Sequence, residues 1–258
     1  MGIGSALVTG GAGAIGIEVC NQLAQRGIEV HLFDLPEQIF RVRRAIASEV
    51  TIHYGSVLDS SSLREAMDAY DVVIHLAAML GVRRTELNKL RCLEINVEGT
   101  KRVLDVSIQH RVRKLVFASS SEVYGEPLSN PVDEDAPTQG KTIYAVSKLA
   151  GEELCKAYAQ SFPWFSYVIL RYFNTYGPFQ TAQFVVPKFV ANILANKPPV
   201  IYGDGAQKRS YCYVSDTARA TVEAAFSDRA NGSIFNIGSS DTTVNLWELA
   251  GLVIDVAG

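Results

Sequence analysis

Cysteine is scarce in this chain: Cys20, Cys92, Cys155 and Cys212 lie far apart, and no two of them form a CxxC pair. That excludes the dense framework of a small disulfide-stapled domain and the ligand spacing of a zinc site, so no metal is expected. A reduced, cytoplasmic compartment is the matching expectation. Long apolar runs are lacking as well. None reaches the roughly 18 residues that a membrane span needs, and the N-terminus has no basic segment followed by an apolar one, the mark of a secretory signal. Nor is there an excess of either charge. The 24 Lys and Arg against 27 Asp and Glu leave a net charge of −3, without the basic surplus of a nucleic-acid binder. With 48% apolar and 20% charged residues, the chain is too apolar for disorder. No internal repeat, low-complexity tract or long linker is found. A folded chain of 258 residues suits one large domain or two small ones.

What is present is alternation. Short apolar runs recur at Ser5–Thr9, Glu29–Phe33, Val50–Tyr54, Asp71–Leu76, Lys114–Ser119 and Phe165–Tyr172, with amphipathic stretches between them. Those stretches include Gly13–Arg26, Asn96–His110 and Tyr144–Phe162. Strands that are apolar on both faces and separated by helices predict a doubly wound parallel α/β sheet covered on both sides. After Asn174 the pattern loosens. Helices are expected over Gln183–Asn196, over Ser215–Phe226 with Ser215 as its cap, and from Asn245. Short strands are expected at Val200–Tyr202, Tyr211–Tyr213 and Ser233–Ile237. The weaker regularity predicts a small second lobe. Residues 1–174 form the main domain, 215–240 return to it, and 175–214 with 241–258 build the lobe.

The first strand runs into Thr9-Gly10-Gly11-Ala12-Gly13-Ala14-Ile15-Gly16. Glycines at 10, 13 and 16 permit a tight turn, close approach of backbone to a pyrophosphate, and tight helix–strand packing. The helix start presents N–H groups and a positive dipole end to phosphate. Gly10, Gly13, Ala14, Ile15 and Gly16 are therefore expected along a dinucleotide. Asp34 closes the second strand, where a carboxylate accepts bonds from both ribose hydroxyls of NAD and repels the 2′-phosphate of NADP. Arg41, Arg43 and Arg44 argue for NADP, but beyond Pro36 they read as a solvated helix face. NAD is the expected cofactor.

Tyr144 and Lys148 stand four residues apart, on one face of a helix. A free tyrosine, with a pKa near 10, is a poor base. A neighbouring ammonium and a positive nicotinamide ring both favour phenolate, so Tyr144 is a candidate general base. A helper hydroxyl belongs in Ser119-Ser120-Ser121-Glu122-Val123-Tyr124-Gly125, at the carboxyl end of the fifth strand, where such sheets bind ligands. His75 reads as a packed strand-end histidine, and Asn96, near a helix start, as structural.

Together with His75-Leu76-Ala77-Ala78, Asn96-Val97-Glu98-Gly99-Thr100, Leu170 through Pro178 and Gly203 through Arg209, these motifs resemble the extended short-chain dehydrogenase/reductase family. Its members include the NAD-dependent epimerases and dehydratases of nucleotide sugars, such as UDP-glucose 4-epimerase. The resemblance implies a Rossmann-type fold and a nucleotide-diphosphate-sugar substrate. It makes Ser120 the partner of the reacting C4 oxygen, Tyr144 the base, and Lys148 the residue that holds the nicotinamide ribose. Leu76, Ala77 and Ala78 would run along the cofactor. Asn174 and Arg209 would hold the substrate diphosphate, with Ser120 and Ser121 facing the sugar. It also implies a homodimer through the helices Asn96–His110 and Tyr144–Phe162, which Ala150 and Gly151 would let approach closely.

Such enzymes begin by oxidising C4 to a ketone. An epimerase returns hydride to the opposite face, a 4,6-dehydratase removes the C5 proton and expels the C6 hydroxyl, and a decarboxylase loses carbon dioxide from a uronic acid. A nucleotide-sugar 4-epimerase is the expected activity. Glu122, placed to act as a C5 base, makes a dehydratase or UDP-glucuronate decarboxylase the alternative, whereas Ser121 replaces an acid that one dehydratase group uses. A non-catalytic NAD-binding scaffold is the reading from another class. Ser56 and Ser210 stand where the family usually has Asp; the first would weaken adenine contact. Against the resemblance the chain is short, so the substrate lobe is expected to be incomplete.

Overall fold

Every position of Val72–His75 and Lys114–Ser120 is buried, which is possible only for strands covered on both faces. A computed structural model, which describes residues 4–127, 129–240 and 243–257, arranges them in a seven-stranded parallel sheet. Its strands are β1 (Ser5–Thr9), β2 (Glu29–Asp34), β3 (Thr51–Tyr54), β4 (Val72–His75), β5 (Lys114–Ser120), β6 (Ser166–Tyr172) and β9 (Ile234–Ile237). The order is β3-β2-β1-β4-β5-β6-β9, a doubly wound Rossmann topology whose direction reverses between β1 and β4.

Alternating side chains divide between two cores. Ala6, Val8, Val30, Leu32, Ile74, Val116 and Leu170 pack on one face with Val19 and Leu23 of α1 (Ala14–Gln25) and Ala218 and Val222 of α9 (Val214–Phe226). Leu7, Phe33, Val73, Leu115, Phe117 and Ile169 face the other way. They meet Leu63 of α3 (Ser60–Ala66), Val103 and Leu104 of α6 (Gly99–Gln109) and Cys155 of α7 (Ile143–Ser161). Helix α2 (Pro36–Val42) follows β2, with Arg41, Arg43 and Arg44 exposed. The short helices α4 (Val82–Leu87) and α5 (Lys89–Leu93) lead into α6.

A second sheet of order β10-β8-β7 comprises β7 (Asn174–Tyr176), β8 (Arg209–Tyr213) and β10 (Thr243–Val244). With α8 (Val185–Leu194) and α10 (Leu246–Ala257) it surrounds Phe189, Tyr211, Leu246, Leu249 and Ala250. Asn245 and Glu248 cap α10 reciprocally, each side chain accepting the other's backbone N–H, as in a capping box. The four cysteines are free and buried. Among the described residues, no helix is long and apolar enough to cross a membrane.

Four local expectations are corrected. Val200–Tyr202 forms no strand; Pro198 and Pro199 precede it without donors for a ladder, and Ile201 is held by packing in the lobe core. Ser215 does not cap α9, which starts at Val214 after Tyr213. The helix expected from Asn96 begins earlier, in a π-helical turn over Glu94–Glu98 that continues into α6. Gly151 faces inward, not toward a partner: a Cβ there would stand 2.3 Å from Cζ of Phe117, so the glycine lets α7 sit down on β5.

Candidate active site

The chain reversal between β1 and β4 leaves a crevice at the carboxyl ends of the strands, and the Gly-rich turn lies against one side of it. Gly10 has φ +71°, and a Cβ on it would come within 2.6 Å of the Ala77 nitrogen. Leu76 N–H extends the ladder by donating to the Thr9 carbonyl at 3.0 Å. Leu76, Ala77 and Ala78 therefore lie directly against the turn. Gly16 lets α1 begin close in, since its Cβ would be 2.3 Å from the Gly10 oxygen. Gly13 is different. A Cβ there would meet only the Gly10 oxygen, at 3.3 Å, and no side chain caps the helix that Gly13 opens. Ala14 and Ile15 form its first turn, which contains no acidic residue, so the positive end of α1 is left for an anion in the crevice.

Asp34 closes the far side. Its carboxylate accepts from Ala12 N–H at 2.9 Å and Leu35 N–H at 2.7 Å. Burial raises its pKa despite those two bonds. A carboxylate has about four lone-pair sites, so acceptors are left over for a diol. An uncapped helix start, an open glycine and a half-buried carboxylate fit a dinucleotide. Ser56 spends its hydroxyl on Leu58 N–H at 3.2 Å.

Ser120, Tyr144 and Lys148 are brought together where β5 meets α7. Thr142 caps α7 by accepting from Ala145 N–H at 3.1 Å, and Glu86 of α4 takes Ile143 N–H at 2.7 Å, which fixes Tyr144 in the first turn. The Ser120 hydroxyl lies close enough to the phenol to favour its ionised form. Lys148 is buried; its Nζ donates to the Ala118 carbonyl at 2.7 Å and lies 5.8 Å from the Tyr144 ring centroid. Burial lowers the Lys148 pKa to about 8. Burial also pushes Tyr144 above its ordinary value, the nearby Ser120 hydroxyl opposes this, and the Glu122 charge adds to it. The expectation that Lys148 lowers the phenol is thus not met by the protein's own groups.

Glu122 and Ser121 sit on the single 3₁₀ turn Ser121–Tyr124, whose start is capped by the Ser120 hydroxyl accepting Glu122 N–H at 3.2 Å. The Glu122 side chain is exposed, close enough to act electrostatically on Tyr144, and takes no salt-bridge partner among the described residues. Asn174 and Arg209 are not part of this cluster: both are exposed on the second sheet, where β7 and β8 run parallel. Asn174 Nδ2 donates to the Ser210 carbonyl at 3.2 Å. The register carries them toward the cluster, because Tyr172, two residues before Asn174, pairs with Ser120.

His75 is buried with both ring nitrogens engaged, Nδ1 with Thr9 at 2.7 Å and Nε2 with Thr100 at 2.9 Å. Thr100 donates its own proton to the Asn96 carbonyl, so Nε2 is the donor and Nδ1 accepts from Thr9. Burial lowers the His75 pKa to about 3. Asn96 accepts from Met79 N–H at 2.7 Å and donates to Ser147 Oγ at 2.9 Å, tying the segment after β4 to α7. Sequence reasoning assigned no role to Glu152 and Arg171, which meet in a buried ion pair beside Ser119. An arginine inside the apolar strand Ser166–Tyr172 was the available signal.

The sequence profile of the NAD dependent epimerase/dehydratase family matches residues 6–238. The chain is 37% identical to UDP-N-acetyl-alpha-D-glucosaminuronate decarboxylase of Bacillus cytotoxicus, over 91% of this chain and 75% of that one. Its structure is similar to that of UDP-N-acetylglucosamine 4-epimerase from Methanobrevibacter ruminantium, solved with UDP-N-acetylmuramic acid. The TM-score is 0.90 at 30% identity, covering 99% of this chain and 83% of that one. UDP-glucuronic acid 4-epimerase from Bacillus cereus, solved with UDP-glucuronic acid and NAD, gives 0.88 at 30% identity, covering 98% and 83%.

Proposed function

The chain belongs to the NAD dependent epimerase/dehydratase family, and from that premise we propose that it is a nucleotide-sugar 4-epimerase. The observation that carries this is the assembly of Ser120, Tyr144 and Lys148 at the strand ends beside the dinucleotide crevice. NAD, when bound, supplies the two-electron acceptor that takes hydrogen from C4 and returns it, and its positive ring favours the phenolate. Gly10, Gly13, Ala14, Ile15 and Gly16 hold its diphosphate, Asp34 its adenosine ribose, and Leu76, Ala77 and Ala78 line its path. Lys148 anchors the nicotinamide ribose, its ammonium held beside the Tyr144 ring. Tyr144 then accepts the O4 proton while Ser120 donates to the same oxygen, stabilising the forming carbonyl. Asn174 and Arg209 keep the substrate diphosphate on the second lobe, the guanidinium pairing two oxygens at once. Anchors on one lobe and chemistry on the other leave the keto sugar free to turn between them. Residues 175–214 and 241–258 are accordingly assigned to substrate binding, and the functional unit is a homodimer formed through α6 and α7.

Ser121 supports this reading, since a hydroxyl is a poor acid for expelling the C6 oxygen. Glu122 supports a second one. Among the described residues its carboxylate has no salt-bridge partner, and it lies near Tyr144, which suits removal of a C5 proton in a dehydratase or assistance to a decarboxylase. The purified protein, given NAD and a panel of UDP-sugars with products read by NMR, separates them. The C4 epimer is the expected product. A 4-keto-6-deoxy sugar or a pentose with carbon dioxide would move the assignment to the second reading, and no turnover would move it to a scaffold.

A further inference from the structure

Ser119, Arg171 and Asn236 are register partners on β5, β6 and β9, one row below the row that begins with Ser120. The three are joined by side chains from outside the sheet. Glu152 of α7 takes Arg171 in a bidentate pair, with Nε to Oε1 at 3.0 Å and a terminal nitrogen to Oε2 at 2.7 Å, and also accepts from the Ser119 hydroxyl at 2.5 Å. Arg171 donates its other terminal nitrogen to the Tyr124 hydroxyl at 2.8 Å and to the Glu134 carbonyl at 2.9 Å. Tyr124 donates in turn to Asn236 Oδ1 at 2.7 Å. The Glu134 carboxylate accepts Asn236 N–H at 2.8 Å, and the Val132 carbonyl accepts from Asn236 Nδ2 at 3.0 Å. Ser119, Glu152 and Arg171 are each at most 3% exposed.

A charged pair taken this far out of water is a doubtful source of stability, because desolvation offsets most of the attraction. Its location suggests another use. Ser119 immediately precedes Ser120, Tyr124 ends the turn that carries Glu122, and Glu152 lies one helical turn beyond Lys148. The segment carrying Val132 and Glu134, between that turn and α7, is tied to the same network. We propose that Glu152, Arg171 and Tyr124 are positioning residues for the C4 chemistry: they clamp the serine turn to α7 and fix the charge that Lys148 faces. Lys148 faces Tyr144 and Cys155 on its own helix, Cys92 on α5 and His75 on β4. Among the described residues, Glu152 is the carboxylate whose charge favours the Lys148 ammonium. Deleting that charge also leaves Arg171 uncompensated, so both changes disfavour the ammonium.

This inference rests on the proposed roles of Ser120, Tyr144 and Lys148, so one of its readouts needs no substrate. Lysine-selective 15N NMR follows the Lys148 ammonium, its resonance assigned by loss in Lys148→Met. In Glu152→Gln the ammonium should deprotonate at lower pH than in the parent protein, whereas Tyr124→Phe should leave that titration in place. Tyr124→Phe keeps the ring and removes one hydroxyl; its kcat should fall by roughly tenfold while KM for the nucleotide sugar stays within about twofold. If Glu152→Gln does not fold, the kcat-against-KM split of Tyr124→Phe decides. An unmoved Lys148 titration in folded Glu152→Gln, or a Tyr124→Phe enzyme with parental kcat, would overturn the proposal. A parent protein that turns over no nucleotide sugar would instead overturn the proposed function, leaving the NMR titration to judge the network.

Discussion

Tyr144 carries the largest single prediction. Replacing it with Phe removes the proton acceptor and leaves the ring, so turnover should fall by about 10²–10⁴-fold while NAD binding, followed by fluorescence quenching, is retained. Near-parental turnover would take Tyr144 out of the chemistry. His75 makes a different kind of prediction. Its folded pKa, about 3, lies below the unfolded value near 6.5. The unfolded chain therefore binds a proton that the folded one refuses. Stability is full above pH 6.5 and falls as pH drops toward 3, by about 1.4 kcal/mol per pH unit for this group. Urea unfolding at several pH values should show that slope, and His75→Gln should flatten it. Which residues were legible in the sequence follows the same division. Tyr144, Lys148 and the glycines announce themselves by spacing within one element. Glu152 and Arg171 are partners only because α7 crosses β6, and the raised phenol of Tyr144 depends on burial that no spacing reports.

Among elements, the central strands β4 and β5 were readable because burial on both faces demands a nearly unbroken apolar run. The lobe was less so. Val200–Tyr202 has the residues of a strand, but its backbone joins no ladder, since Pro198 and Pro199 lead into it and Ile201 is drawn into the lobe core. The π-helical turn at Glu94–Glu98 was also hidden, because it is set by Asn96 reaching Met79 and Ser147, contacts distant in sequence. The contact of α7 with β5 is the element-scale test. Gly151→Ala would force a methyl group into the Phe117 ring, and Phe117 also lies under Lys148, whose Nζ is 5.1 Å from its centroid. Overpacking there should cost about 1–3 kcal/mol of stability, measured by denaturant unfolding, and lower turnover with it. An unchanged unfolding midpoint would mean that the helix lifts freely.

At the scale of the molecule, the proposed function has the two lobes divide the work: the main sheet would hold the cofactor and the reacting hydroxyls, and the small sheet, which carries Asn174 and Arg209, would hold the substrate diphosphate. Sedimentation is expected to show a dimer, and a monomer throughout would remove α6 and α7 from that role. Arg209→Ala should weaken nucleotide-sugar binding while leaving the thermal stabilisation by NAD alone intact, because ligands stabilise only the state that binds them. Loss of both responses would place Arg209 in the fold instead of the substrate site. The most direct test of the central claim follows the hydrogen on C4. A UDP-sugar deuterated at C4 is incubated with the NAD-loaded protein in ordinary water, and the products are examined by NMR. The C4-inverted sugar should keep the deuterium at C4, and C5 should gain no label when the solvent is exchanged for heavy water. Loss of the C4 label from the epimer, solvent deuterium at C5, or a decarboxylated product would contradict that claim.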